Sequence, residues 1–128
     1  MSPELFTLVT LSLLAILLPP VYLFEYTRNV GVKPMLGNRD GLPERTGLAA
    51  RGTRAHANLI ENLVPYAGVV LSAQAMGISN QVTQYAAIMF LIARLVHAAS
   101  YLAGITFVRT IAYYACIIAN IAIATQLF

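Results

Sequence analysis

Residues 5–24 contain no charged side chain. A helix rises about 1.5 Å per residue, so such a run is long enough to cross the roughly 30 Å hydrocarbon layer of a bilayer. It is too long for a signal-peptide core and has no basic segment before it, only Glu4, so it reads as an uncleaved first helix. Composition agrees: 59% of the 128 residues are hydrophobic and 10% are charged, where a soluble domain carries about a quarter charged. A cytosolic enzyme, a nucleic-acid binder and a disordered chain are excluded. Four spans of about 20 residues leave room for connections. Five would leave almost none.

The spacing of apolar runs and breakers predicts one domain over residues 1–128 with helices over about 3–26, 46–76, 82–103 and 109–127. The fold class is an all-α integral membrane protein, a four-transmembrane-helix bundle. Pro19 and Pro20 should kink or end the first helix, because proline removes a donor and clashes with the preceding turn. Residues 27–46, with Gly31, Pro34, Gly37, Gly41 and Pro43, form the single long loop. The second helix, about 45 Å long, exceeds the hydrocarbon core, so its first turns, with Arg51 and Arg54, protrude.

Charge placement orients the bundle. Arg28, Lys33, Arg39, Arg45, Arg51 and Arg54 fall in the long loop and the start of helix two, and Arg109 lies on the same side. The opposite connection has no Lys or Arg. Basic loops stay in the cytoplasm, so the long first loop is cytoplasmic and both termini lie outside. The single cysteine, Cys116, excludes an intrachain disulfide.

Polar residues within spans are costly and mark function. At 100° per residue, Arg51, Arg54, Asn58 and Glu61 share an arc of about 80°, and Arg94, His97 and Tyr101 one of about 60°. Arg109, Tyr113, Cys116 and Asn120 share a third of about 60°. All three stripes lie in the cytoplasmic half and can converge on one cavity, within or between subunits. Bland roles compete with this. Glu61 and Arg94 can neutralise each other as an ion pair. Arg51 can snorkel at the interface, and His56, nearly opposite Arg54, is interfacial or supporting. Asn120 can bond between helices, and Cys116 reads as a small buried hydrophobe. Ala112, Ala115, Ala119 and Ala122 line a face for close helix packing. Two histidines 41 positions apart (His56 and His97) make no metal site.

The segment from Glu44 to Tyr66 carries Arg54-Ala55-His56-Ala57-Asn58-Leu59-Ile60-Glu61, followed by Pro65 and Tyr66. It resembles the helix-two signature of the MAPEG superfamily, the membrane-associated proteins in eicosanoid and glutathione metabolism. Arg94-Leu95-Val96-His97 through Tyr101 resembles that family's third-helix motif, and Arg109 with Tyr113 the start of its fourth helix. Ala57 stands where the prostaglandin-E-synthase branch has an arginine, a departure that weakens assignment to that synthase and implies that one glutathione carboxylate is held differently or not at all. The resemblance implies a homotrimer with sites at subunit interfaces near the cytoplasmic side, and glutathione as co-substrate. Arg54, Asn58, Glu61, His97, Tyr101 and Tyr113 would bind glutathione, and Arg109 would face its sulfur as the catalytic group. Lys33 or Arg39 of a neighbouring subunit would reach a glutathione carboxylate.

The residue types suit that chemistry. Arginines suit the two carboxylates of glutathione, Glu61 suits its ammonium, and a fixed guanidinium favours the thiolate. The implied function is a glutathione transferase or peroxidase acting on lipophilic electrophiles that arrive through membrane lipid. Two rivals belong to other classes. A small multidrug-type transporter shares the four short helices but couples through an acid in its first helix, which residues 5–24 lack. A non-catalytic scaffold would keep the fold without turnover. Very short tails and no endoplasmic-reticulum retention signal favour a bacterial inner membrane.

Overall fold

The computed structural model describes all 128 residues, and every regular element is helical. Helix α1 spans Pro3–Val30, α2 Val32–Leu36, α3 Gly47–Ala75, α4 Gln81–Ala103 and α5 Thr106–Ala124, with a 3-10 turn over Thr125–Leu127. Local chemistry sets the ends. Ser2 caps α1 by accepting from Leu5 N, with Pro3 in the first turn, where its missing N–H costs nothing. Asn80 and Thr83 form a reciprocal capping box at the start of α4. Gly104 ends α4 in the left-handed conformation at φ 80°, where a side chain would be strained.

The prolines do not end α1. The helix continues through Pro19 and Pro20 to Val30, where Gly31 at φ 90° stops it. Packing explains the difference, because Leu18 and Tyr22, flanking the prolines, are buried in the core and carry the helix past them. The long loop is correspondingly shorter than expected and contains the brief α2. At its other end Tyr26 donates its hydroxyl to Pro43 O, tying loop to helix. Helix α5 begins at Thr106, so Arg109 lies one turn inside it.

Helix α1 packs chiefly on α3, and α4 on α5. The core positions repeat at alternating intervals of three and four, as Leu11, Ala15, Leu18 and Tyr22 do on α1 and Ala112, Cys116, Ala119 and Ile123 on α5. That spacing favours shallow left-handed crossings. One contact is unusually close: a Cβ on Gly52 would lie 2.2 Å from Tyr22 Cβ, so only glycine admits this approach of α1 to α3. Tyr66 stacks on Phe90 with centroids 3.8 Å apart, joining α3 to α4.

Three helical segments are long and apolar enough to cross a membrane: Pro3–Val30, Gln81–Ala103 and Thr106–Leu127. They present side chains such as Phe6, Ile16, Phe24, Ile92 and Ile118 to the surroundings. Helix α3 has the length but not the apolarity. Arg51, Arg54, Asn58, Glu61 and Asn62 dilute its first half.

Candidate functional site

Helices α3, α4 and α5 line an open polar cavity of about 230 Å³, formed by Asn58, His97, Tyr101, Arg109, Thr110, Tyr113 and Tyr114. Five of the seven site residues expected from sequence meet here: Asn58, His97, Tyr101, Arg109 and Tyr113. Each comes from the polar stripe of its own helix. The aromatic rings form a wall. His97 meets Tyr101 edge-on at 5.5 Å, Tyr113 lies 6.5 Å from His97, and Tyr114 lies 5.8 Å from Tyr113. The Arg109 guanidinium covers the Tyr101 ring at 4.5 Å from its centroid, a cation–π contact that fixes the charge while leaving its donors free.

Arg54 and Glu61 do not line this cavity. Both are exposed, because they sit farther round the α3 stripe than Asn58. The anticipated Glu61–Arg94 ion pair does not form. Arg94 is buried at 1% exposure and turns to neutral acceptors. Its Nη1 donates to Asn58 O and Oδ1, each at 3.2 Å, its Nη2 to Asn58 Oδ1 at 3.3 Å, and its Nε to Cys116 Sγ at 3.2 Å. Cys116 is buried, as a small hydrophobe would be, yet it also serves as an acceptor for a cation.

Other polar residues have structural partners. Arg51 donates from Nε to Leu102 O at 2.9 Å, so it clamps the end of α4 rather than snorkelling. A cation there also suits the negative end of the helix dipole. His56 Nδ1 shares a hydrogen with the Tyr22 hydroxyl at 3.3 Å. Asn120 bonds no other helix, and its Oδ1 is sealed without a partner. Lys33 and Arg39 are exposed on the connection between α1 and α3. No group of three or more His, Cys, Asp or Glu residues is arranged to hold a metal ion.

Sequence reasoning overlooked Thr110 and Tyr114, which sit about 100° round α5 from Arg109 and Tyr113, outside the polar stripe that angular counting picks out. It also overlooked Glu4, which is 3% exposed at the opposite end of the bundle. There Glu4 accepts from Thr83 Oγ1 at 2.6 Å and from Ser79 Oγ at 3.0 Å. The largest cleft, about 470 Å³ between α4 and α5, is lined by aliphatic and aromatic residues such as Ile92, Phe107 and Ile111. It offers no charged side chain, and Tyr85 is its one hydroxyl-bearing residue.

Three apolar helices long enough to span, with charged and aromatic groups gathered at one polar pocket, define a multi-pass helical membrane protein. The family model of the MAPEG family matches residues 5–128, and the chain belongs to that family. Its members include glutathione transferases and related enzymes as well as non-catalytic proteins. No curated protein matches the chain.

Proposed function

We propose that the protein is a glutathione-dependent membrane transferase or peroxidase acting on lipophilic electrophiles. The observation that carries this reading is the unpaired Arg109 guanidinium, fixed over Tyr101 at the edge of a cavity lined by Asn58, His97 and Tyr113. Such a cation favours a thiolate over a thiol by Coulomb attraction. The glutathione thiol loses its proton to solvent, and the sulfur lone pair forms a new C–S bond with an electrophilic carbon. The displaced electron pair leaves with the departing group or is protonated on the electrophile. With a hydroperoxide, the sulfur attacks the distal oxygen as the O–O bond breaks and the alkoxide takes a proton. A second glutathione then displaces the resulting hydroxide to give the disulfide and water.

The exposed face of α3 supports assembly as a homotrimer. Arg54, Ala57, Glu61, Val64, Gly68, Leu71 and Ala75 are all exposed and repeat at alternating intervals of three and four, the spacing of a helix–helix seam. Two charges in that stripe would be costly against lipid. Facing other subunits, α3 can cross the membrane as the fourth span despite its polarity. Arg54 and Glu61 then complete the site from the interface, and Lys33 or Arg39 of a neighbouring subunit reaches a glutathione carboxylate. The long connection lies in the cytoplasm, and a bacterial inner membrane is the host. Purified protein should consume glutathione with 1-chloro-2,4-dinitrobenzene or cumene hydroperoxide. Absence of glutathione binding in both detergent and lipid would overturn the reading.

A further inference from the structure

We propose that Arg94 is a positioning residue that makes Asn58 a hydrogen-bond donor to whatever occupies the cavity. A guanidinium has only donors, and an amide side chain has one acceptor end and one donor end. Arg94 grips Asn58 Oδ1 with both terminal nitrogens, at 3.2 and 3.3 Å. Its Nε is occupied by Cys116 Sγ, so the fork cannot rotate away without losing that contact. The Asn58 amide is thereby fixed in one sense, Oδ1 toward Arg94 and Nδ2 away.

Nδ2 makes no hydrogen bond within the chain, and it is not sealed off: the sealed, unpartnered side-chain oxygens and nitrogens are Glu25 Oε2 and Asn120 Oδ1 alone. Asn58 itself lines the cavity. Nδ2 is therefore the atom it presents there. The buried Arg94 charge has neutral partners only, so its field also favours an acceptor at that point. The group that meets Asn58 is a carboxylate or carbonyl oxygen, not an ammonium. That it belongs to glutathione rests on the function proposed above.

Asn58→Asp tests this, because it replaces only Nδ2 with oxygen. Beside Arg94 the new carboxylate gains a counter-ion, so the thermal midpoint in detergent should rise. Glutathione affinity should nevertheless fall at least tenfold. A merely structural Asn58 would not move the two readouts in opposite directions. In an Arg94→Gln background the rise in midpoint should vanish. Should that variant fail to fold, Arg94→Lys serves: it keeps the charge and loses the fork, so it should weaken glutathione binding with Asn58 present and not in an Asn58→Ala background. An equal midpoint effect of Asn58→Asp with and without Arg94, or glutathione affinity within twofold of the parent, overturns the inference. If the parent protein itself binds no glutathione, the function proposed above fails, and the midpoint coupling alone decides whether Arg94 holds Asn58.

Discussion

Glu4 and Arg94 are both almost fully buried, and the two ends of the bundle treat them in opposite ways. Around Glu4 the partners are short hydroxyls from the turn before α4 and its first residues, Ser79 and Thr83. The carboxylate accepts at both of its oxygens, no cavity adjoins it, and the result is a clasp that ties the start of α1 to α4. Around Arg94 the partners are Asn58 and Cys116, and one of them opens on a polar cavity with a second, uncommitted cation, Arg109. A buried charge that is satisfied on all sides stabilises a fold. One whose partner keeps a free polar atom at a cavity prepares for a ligand. On the function proposed above, the Glu4 end carries stability and the Arg94 end chemistry.

The strongest test separates the two by substitution at the cavity. Arg109→Gln should lower glutathione turnover about 100-fold, as expected when one preorganised electrostatic group is removed. The thermal midpoint should hardly change, because Arg109 lies over Tyr101 and makes no side-chain hydrogen bond that folding depends on. Rates with a fixed electrophile, set beside melting curves, decide it. A midpoint that falls in step with turnover would erase the distinction between the ends.

Gly52→Ala probes a place where the distinction should blur. The added Cβ would meet Tyr22 Cβ at 2.2 Å and Cγ at 2.6 Å, so α1 must move from α3 at a cost of about 2 kcal/mol. Gly52 precedes Arg54 and Asn58 by less than two turns. Both the melting midpoint and glutathione affinity should therefore fall, measured on the same preparation.

The legible and illegible parts of this molecule divide along the same physical line. Helix bounds follow from local signals such as the apolar run of residues 5–24, the Asn80 cap and Gly104, so sequence placed them within a few residues. Continuation of α1 through Pro19 and Pro20 depends on burial of Leu18 and Tyr22, which is tertiary. Angular counting brought Asn58, His97, Tyr101, Arg109 and Tyr113 toward one cavity. It could not tell which edge of the α3 stripe faces inward, so it paired Arg94 with Glu61 where Asn58 holds the inner edge. The Glu4 clasp was missed because its partners lie 75 and 79 positions away in the chain, and no periodicity reports such a contact.

At the far end, Glu4→Gln should keep the shape of the side chain while weakening the bonds from Thr83 and Ser79. Losing charge-assisted bonds of this kind costs about 2 kcal/mol. Turnover per folded molecule should be unchanged, since the cavity lies in the other half of the bundle. Loss of turnover at constant folded fraction would mean that the two ends communicate.

The smallest effect belongs to Tyr66→Phe. The ring keeps its stack on Phe90 at 3.8 Å, and only the hydroxyl shared with Thr7 Oγ1 at 2.5 Å is lost. Thr7 Oγ1 also donates to Glu4 O at 2.8 Å, so Tyr66 is the donor in the shared bond and its removal strands no hydrogen on Thr7. The loss should stay below about 1 kcal/mol, read as a small drop in midpoint with no change in glutathione affinity. A much larger drop would show that the Glu4 end is a coupled network through Thr7 rather than a local clasp. In that case Tyr66→Phe and Glu4→Gln should be strongly non-additive in the double variant.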